Sequence, residues 1–260
     1  MPELDTVRVD AFAKLTLSLH ITGTRADGYH ELDATMVSIS EPHDTLIINR
    51  AERTSLTVTG PFAEDVPGDR SNLAWRAADA CDVAVDIHLF KGIPSGAGLG
   101  GGSADAAAVL TALGANPAIA ATLGADVPFC MRGGFALVRG IGDELQRGES
   151  LALATVVATP PFSCSTAQVY RKWDELGGPR DDDNDLRLAA EDVEPRLVEF
   201  RRAVEAAAGA PARLAGSGSS YALVFEHADE AERARDRIAA SVPGWVWLGS
   251  TTGHGVVVHS

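Results

Sequence analysis

Residues 7–21, VRVDAFAKLTLSLHI, alternate with a period of two: Val7, Val9, Ala11, Ala13, Leu15, Leu17, Leu19 and Ile21 share one parity. Such alternation predicts a half-buried strand and places Lys14, Thr16, Ser18 and His20 together on its other face. The following 23-GTRADGYHEL-32 breaks the pattern with an Asp-Gly pair and reads as a turn. MVSIS (36–40), DTLIINR (44–50) and SLTVTG (55–60) read as three further strands, and a helix is expected after Ser71 through 72-NLAWRAADA-80. In 82-DVAVDIHLF-90 the alternation returns, with Val83, Val85, Ile87 and Leu89 on one side. A glycine-rich loop and the alanine-rich helix 103-SADAAAVLTAL-113 follow, then 124-GADVPFC-130 and a strand in 133-GGFALVRG-140.

Near residue 150 the pattern restarts. A strand is expected in 151-LALATVVATP-160, a charged loop in 180-RDDDNDL-186, and helix within 193-VEPRLVEFRRAVEAAAGA-210. A second glycine turn enters a strand in 214-LAGSGSSYALVFE-226, 230-EAERARDRIAASV-242 is an amphipathic helix, and 245-WVWLGSTTGHGVVVH-259 closes with strands. Strand, helix, strand, helix, strand in this second part predicts a split βαβ layer. Early strands with later helices predict an α+β fold rather than a doubly wound sheet. The chain is accordingly divided into residues 1–149 and 150–260.

Composition narrows the function classes. A formal net charge of −14 over 260 residues repels nucleic-acid phosphates and anionic lipid, and no basic patch offsets it, so neither is an expected partner. No apolar run approaches the ~20 residues that span a bilayer. The acidic start MPELDTVRVD lacks the apolar segment of a secretory signal. Three scattered cysteines, Cys81, Cys130 and Cys164, form neither a disulfide framework nor a zinc motif. They point to a reducing compartment, here the cytoplasm.

The candidate chemistry lies in 91-KGIPSGAGLGGGSADAAAVL-110. Its spelling satisfies G-x-G-x-x-G, but the acidic residue that should end the next parallel strand of a dinucleotide site is missing. The Lys-Ser/Thr pair of a P-loop is missing too, because Gly102 is followed by Ser103 and Ala104. Partner motifs of the protein-kinase type are not found either. A flexible linker would be longer and mixed with serine, whereas these glycines abut Leu99 and a helix with Ser103 as N-cap and Gly114 as stop. Bare backbone ahead of a helix N-terminus suits an anion, and Lys91 is expected to add a positive charge. The loop reads as a polyphosphate site.

With these residues in view, the sequence resembles the GHMP kinases. Pro94-Ser-Gly-Ala-Gly98-Leu99-Gly-Gly-Gly-Ser103 is similar to their phosphate loop; Ala13-Lys14-Leu15 and 214-LAGSGSS-220 are similar to two other family segments. The resemblance implies a two-domain α+β fold, with an N-terminal domain like domain 2 of ribosomal protein S5 and a ferredoxin-like C-terminal domain. It also implies ATP and Mg²⁺ as cofactors. Within the family, 27-DGYHEL-32, GLGGGSADAA and 124-GADVPF-129 resemble the branch acting on the 2-hydroxyl of 4-diphosphocytidyl-2-C-methyl-D-erythritol in non-mevalonate isoprenoid precursor synthesis.

By that resemblance Lys14 and Asp126 are the catalytic pair. ATP falls to Asn72, Leu73, Lys91, Pro94, Ser95, Gly96, Gly98, Leu99, Gly100, Gly101, Gly102 and Ser103. The phosphoryl acceptor falls to Thr16, Tyr29, His30, Thr166, Tyr170, Gly216, Ser217 and Gly218, with His30 reading the cytosine edge, Tyr170 stacking on the base and the glycine turn holding the diphosphate. Metal ligands are not assigned, and the chain is read as a monomer or homodimer.

Three positions depart from the family pattern. Thr16 stands where asparagine is usual, and Ala167 where proline is usual. Only GANPAIAAT separates the phosphate-loop helix from LGADVP, which is either harmless trimming or an opening of the nucleotide pocket. Two alternatives stay open: another GHMP small-molecule kinase, of homoserine or mevalonate type, and a non-catalytic nucleotide-binding paralogue.

Overall fold

The computed structural model describes residues 6–149, 152–181 and 183–259. The division placed at 149/150, the first five residues of the acidic N-terminus and Asp182 of the charged loop fall outside or at the edge of the described residues. The alternating N-terminal segment is β1 (Val7–Thr24), and it forms a long antiparallel hairpin with β2 (His30–Arg50), from Val7↔Ile48 to Thr24↔His30. MVSIS and DTLIINR are therefore one strand and not two: the pairing resumes beyond Glu41–Pro42 after a register shift opposite Phe12/Ala13. Along β1, Val9, Ala11, Ala13, Leu15, Leu19 and Ile21 are buried as the parity predicts, while Lys14 and Thr16 are buried on the opposite side.

β3 (Ser55–Thr59) pairs in parallel with β4 (Val85–Phe90), and β4 lies antiparallel along β2. Between them α1 (Leu73–Ala80) starts at Asn72, whose side chain accepts from Ala74 N. The alanine-rich helix is α2 (Gly101–Ala112), with Ala104 through Leu110 all buried. A helix enclosed on every side needs small residues where neighbours approach, and alanine supplies them without loss of helix propensity. Gly114 ends it as expected: with φ +64 it lets Ala115 N reach Leu110 O (2.9 Å) and its own N reach Thr111 O. The start differs. Gly100, in left-handed conformation at φ +72, is the N-cap, and Ser103 sits in the first turn. The backbone reversal that only glycine takes without strain sets the start, ahead of the capping preference of serine.

The shortened segment folds as a 3-10 turn at Pro117–Ile119 and one turn of helix, α3 (Ala120–Leu123), then α4 (Val127–Arg132). β5 (Phe135–Arg139) pairs with β2, and β6 (Glu144–Arg147) extends it.

The second half runs β7 (Ala154–Thr159), α5 (Thr166–Glu175), α6 (Arg187–Val193), α7 (Arg196–Ala208), β8 (Arg213–Leu214), β9 (Tyr221–Phe225), α8 (Ala228–Ser241), β10 (Trp245–Thr252) and β11 (Val256–His259). In space these strands lie in the order β10-β7-β9-β8, all antiparallel, which is the split βαβ arrangement read from the sequence. β10 joins the two layers, pairing with β7 through Trp245–Ser250 and with β2 at Thr251 and Thr252. β11 then returns to the first layer and pairs with β1, so all described strands form one continuous sheet.

Candidate active site

Two glycine turns from opposite halves of the chain are docked backbone to backbone. Ser219 N reaches Gly96 O (3.2 Å) and Ser220 N reaches Ala97 O (3.1 Å). Gly98, at φ +77, lies so close to the second turn that a Cβ on it would sit 1.8 Å from Ala215 O. Gly98→Ala is therefore expected to lower stability by about 2 kcal/mol or more, from backbone strain and forced separation of the turns. Urea unfolding measures that loss.

Three elements meet above this junction. β1 brings Lys14, whose backbone N donates to Leu99 O (3.0 Å) and whose side chain is 7% exposed. Its Nζ lies 3.6 Å from Asp126 Oδ2 and 3.3 Å from Thr16 Oγ1. Asp126 occupies the N-cap position of α4, yet its carboxylate caps no backbone N–H. It is thus free to act in the site. α2 points its N-terminus at the same place: the first N–H groups of a helix have no partner within it, and no acidic side chain fills its first turn. Such an end favours an anion by roughly 0.3–1 kcal/mol through the helix dipole alone.

One cavity of ≈ 810 Å³ takes in the glycine loop from Pro94 to Ser103, Lys14 with Asp126, Leu73, and the side formed by Tyr29, His30, Thr166, Tyr170, Gly216 and Ser217. On that last side Thr166 Oγ1 and Ser217 Oγ are 2.8 Å apart, tying the start of α5 to the second glycine turn. Burial, reinforced by the Asp126 charge, holds the Tyr170 hydroxyl well above the usual tyrosine range, so it stays protonated. The Cys130 thiol is pushed up by burial and then by Asp126, which removes it as a nucleophile.

Four candidates stand elsewhere. Lys91 borders the cavity, but its ammonium is 2% exposed and bonded to Asp44 and Asp105, so its charge is already matched by two carboxylates. Its expected role as a spare cation for phosphate is corrected accordingly. Asn72 spends its amide on Ala74 N (2.8 Å) and Pro67 O (2.9 Å), capping α1, and only Leu73 of that pair reaches the cavity. Thr16 and Gly218 lie behind the lining, Thr16 as the partner of Lys14.

The sequence reading missed the charged loop's structural part. Asn184 Nδ2 donates to Leu214 O (2.9 Å) and Gly216 O (2.8 Å), holding the second glycine turn. Asp185 is buried beside it and accepts from Ile21 N (2.9 Å) and Asp181 N (3.0 Å). No group of three His, Cys, Asp or Glu among the described residues converges to cage a metal ion.

A profile described as GHMP kinases N terminal domain matches residues 72–134, and one described as GHMP kinases C terminal matches residues 171–244. The 4-diphosphocytidyl-2-C-methyl-D-erythritol kinase of Paracoccus denitrificans is 36% identical, covering 94% of this chain and 96% of its own length. The protein of the same name from Brucella melitensis is 35% identical, at 90% and 91% coverage. Among solved structures, a 4-(cytidine 5'-diphospho)-2C-methyl-D-erythritol kinase superposes with a TM-score of 0.76 at 33% identity, covering 94% of this chain and 98% of that one. A homoserine kinase from Cytophaga hutchinsonii superposes with a TM-score of 0.71 at 17% identity over 100% of this chain and 99% of that one, a likeness of fold.

Proposed function

This chain belongs to the GHMP kinase family, and on that premise we propose its reaction: transfer of the γ-phosphoryl group of ATP to the 2-hydroxyl of 4-diphosphocytidyl-2-C-methyl-D-erythritol. The observation that carries this reading is one cavity lined at once by a phosphate-type glycine loop, the Lys14–Asp126 pair and an aromatic side built from Tyr29, His30 and Tyr170. Kinship over nearly the whole chain with enzymes named for that substrate favours it over the homoserine, mevalonate and non-catalytic alternatives.

Each residue's part follows from its chemistry. The acceptor hydroxyl must lose a proton as its oxygen bonds to the γ-phosphorus and the bond to the β-phosphate oxygen breaks, releasing ADP. Asp126 accepts that proton. Lys14, 3.6 Å away, neutralises charge on the transferring group. The loop backbone from Pro94 to Gly102 and the α2 N-terminus hold the triphosphate, and Leu73 lines the nucleoside side. Gly216 and Ser217 face the acceptor's diphosphate, and Thr166 is fixed on Ser217. Asn72, Lys91, Thr16 and Gly218 support from behind.

Mg²⁺ would be carried by the phosphates, with the Ser103 hydroxyl in the cavity lining as the protein oxygen that would reach it. It would supply charge neutralisation between the β- and γ-phosphates. We place residues 1–149 in a domain bearing ATP and the catalytic pair, and 150–260 in one that completes the acceptor side. The chain is read as a monomer or a homodimer. Cys81, Cys130 and Cys164 are free, in keeping with the cytoplasm, and no helix among the described residues is long and apolar enough to cross a membrane.

A coupled ADP-release assay with 4-diphosphocytidyl-2-C-methyl-D-erythritol, homoserine and mevalonate tests the reading. Turnover is expected on the first alone; turnover on either of the others without the first overturns it.

A further inference from the structure

His30, at the start of β2, is held from three sides by α5. Its ring lies 5.0 Å from Tyr170 at 34° and 5.5 Å from Trp173 edge-on, and its Nε2 is 2.8 Å from Asp174 Oδ1. The aromatic neighbours fix the ring plane. The carboxylate fixes which nitrogen carries hydrogen: an ionised carboxylate only accepts, so Nε2 is the donor. Nδ1 has no hydrogen-bond partner among the described residues, and it is not among their sealed unpaired polar atoms. Both His30 and Asp174 line the cavity. The side chain is 8% exposed, and the neighbours Tyr170, Trp173 and Asp174 take up its other sides.

In a neutral imidazole the nitrogen opposite the N–H is an acceptor, and the partner of one nitrogen decides the role of the other. We propose that Asp174 is a positioning residue that locks His30 in the Nε2–H form, so that the cavity offers an acceptor at Nδ1 to the amino group of a nucleobase. Cytosine carries such a donor at its 4-position, where uracil carries a carbonyl acceptor. A bare Nδ1 facing that carbonyl leaves two acceptors opposed, and mismatched hydrogen-bonding groups in a closed site reject strongly. Asp174 thereby makes the site selective for a cytidine over a uridine diphosphate ester. This rests on the proposed function, which brings the cytidine end of the acceptor to Tyr29, His30 and Tyr170.

Nitrogen NMR of the wild-type protein reads the His30 tautomer directly. Protonated Nε2 with bare Nδ1 is expected; an Nδ1–H or a doubly protonated ring at neutral pH overturns the proposal. Kinetics with 4-diphosphocytidyl-2-C-methyl-D-erythritol and its uridine-diphosphate counterpart provide the second arm. Asp174 is half exposed on α5, so Asp174→Ala is expected to fold, with thermal unfolding and KM for ATP as checks. The cytidine-to-uridine ratio of kcat/KM should fall about tenfold, through KM rather than kcat, as the ring is freed to rotate and change tautomer. Asp174→Asn, which keeps an acceptor but loses the charge, should fall by less. An unchanged ratio in Asp174→Ala overturns the role of Asp174 while leaving the kinase reading intact. Failure of the wild-type protein to use the cytidine substrate overturns the kinase reading itself.

Discussion

Asp126→Asn is expected to keep ATP binding and to lower turnover by at least about a hundredfold, the scale on which a lost acid/base group acts. The amide has the size of the carboxylate but cannot take the proton that the acceptor hydroxyl must shed. The Asp126 side chain caps no backbone N–H of α4, and Lys14, its ion-pair partner among the described residues, keeps a hydrogen bond to Thr16 Oγ1. The α2 N-terminus and the docked glycine turns, which form the phosphate site, do not rely on it. Turnover by ADP release, ATP affinity by calorimetry and thermal unfolding separate the possibilities. Unchanged turnover would remove Asp126 from the mechanism and leave catalysis to positioning and to Lys14. Lost ATP affinity would instead make its contribution one of holding the nucleotide.

The catalytic pair illustrates what was legible beforehand. Lys14 could be placed on the face opposite the core because β1 alternates without a break from Val7 to Leu15, and one strand's parity is a local property. That Asp126 comes within 3.6 Å of it is not local, since the two positions are 112 apart in the sequence. Only resemblance to a family could join them.

The misreadings share this cause. Lys91 next to a glycine loop looks like a phosphate ligand until Asp44, 47 residues earlier, is seen to bond it. RDDDNDL reads as a charged loop, and its composition does not show which of its carboxylates is buried. In the structure Asp185 is fully buried, since Ile21 N, Asp181 N and Arg180 saturate its oxygens. α5 shows no helical period in the sequence because only Val169 and Trp173 of its residues are buried, too sparse an apolar stripe. Yet α5 carries Tyr170 and Asp174, on which the acceptor side depends.

Lys91→Met is expected to destabilise the protein by about 3–5 kcal/mol, the cost of removing one partner from a buried ionic cluster. Methionine replaces the stem of the lysine at similar volume, so the loss is electrostatic. Asp44 and Asp105 are 0% and 2% exposed in their side chains, and Lys91 is the cation bonded to both. Asp44 also accepts from Gly92 N (2.7 Å) and Ile93 N (2.8 Å), so it orders the chain entering the phosphate loop. A Cβ on Gly101 would lie 2.9 Å from the lysine Nζ, which puts the cluster directly beneath the first turn of α2. A raised KM for ATP is therefore expected beside the lost stability.

Asp105→Asn, by contrast, is expected to cost less than about 1 kcal/mol at neutral pH, as a neutral replacement for a group that need not be charged. Burial and the adjacent Asp44 hold the Asp105 carboxyl well above the usual carboxylate range against the opposing pull of Lys91. A carboxyl whose folded value is raised binds more protons folded than unfolded. Its contribution to stability is fully present below the unfolded value of 3.8 and is lost as pH rises through the folded value. Asparagine has no such loss, so Asp105→Asn should gain on the wild type as pH rises above the unfolded value of 3.8 and through the folded one. Urea unfolding across that range measures both effects. Parallel pH profiles for Asp105→Asn and wild type, or a Lys91→Met protein as stable as wild type, would show that the three side chains do not share charge in this way.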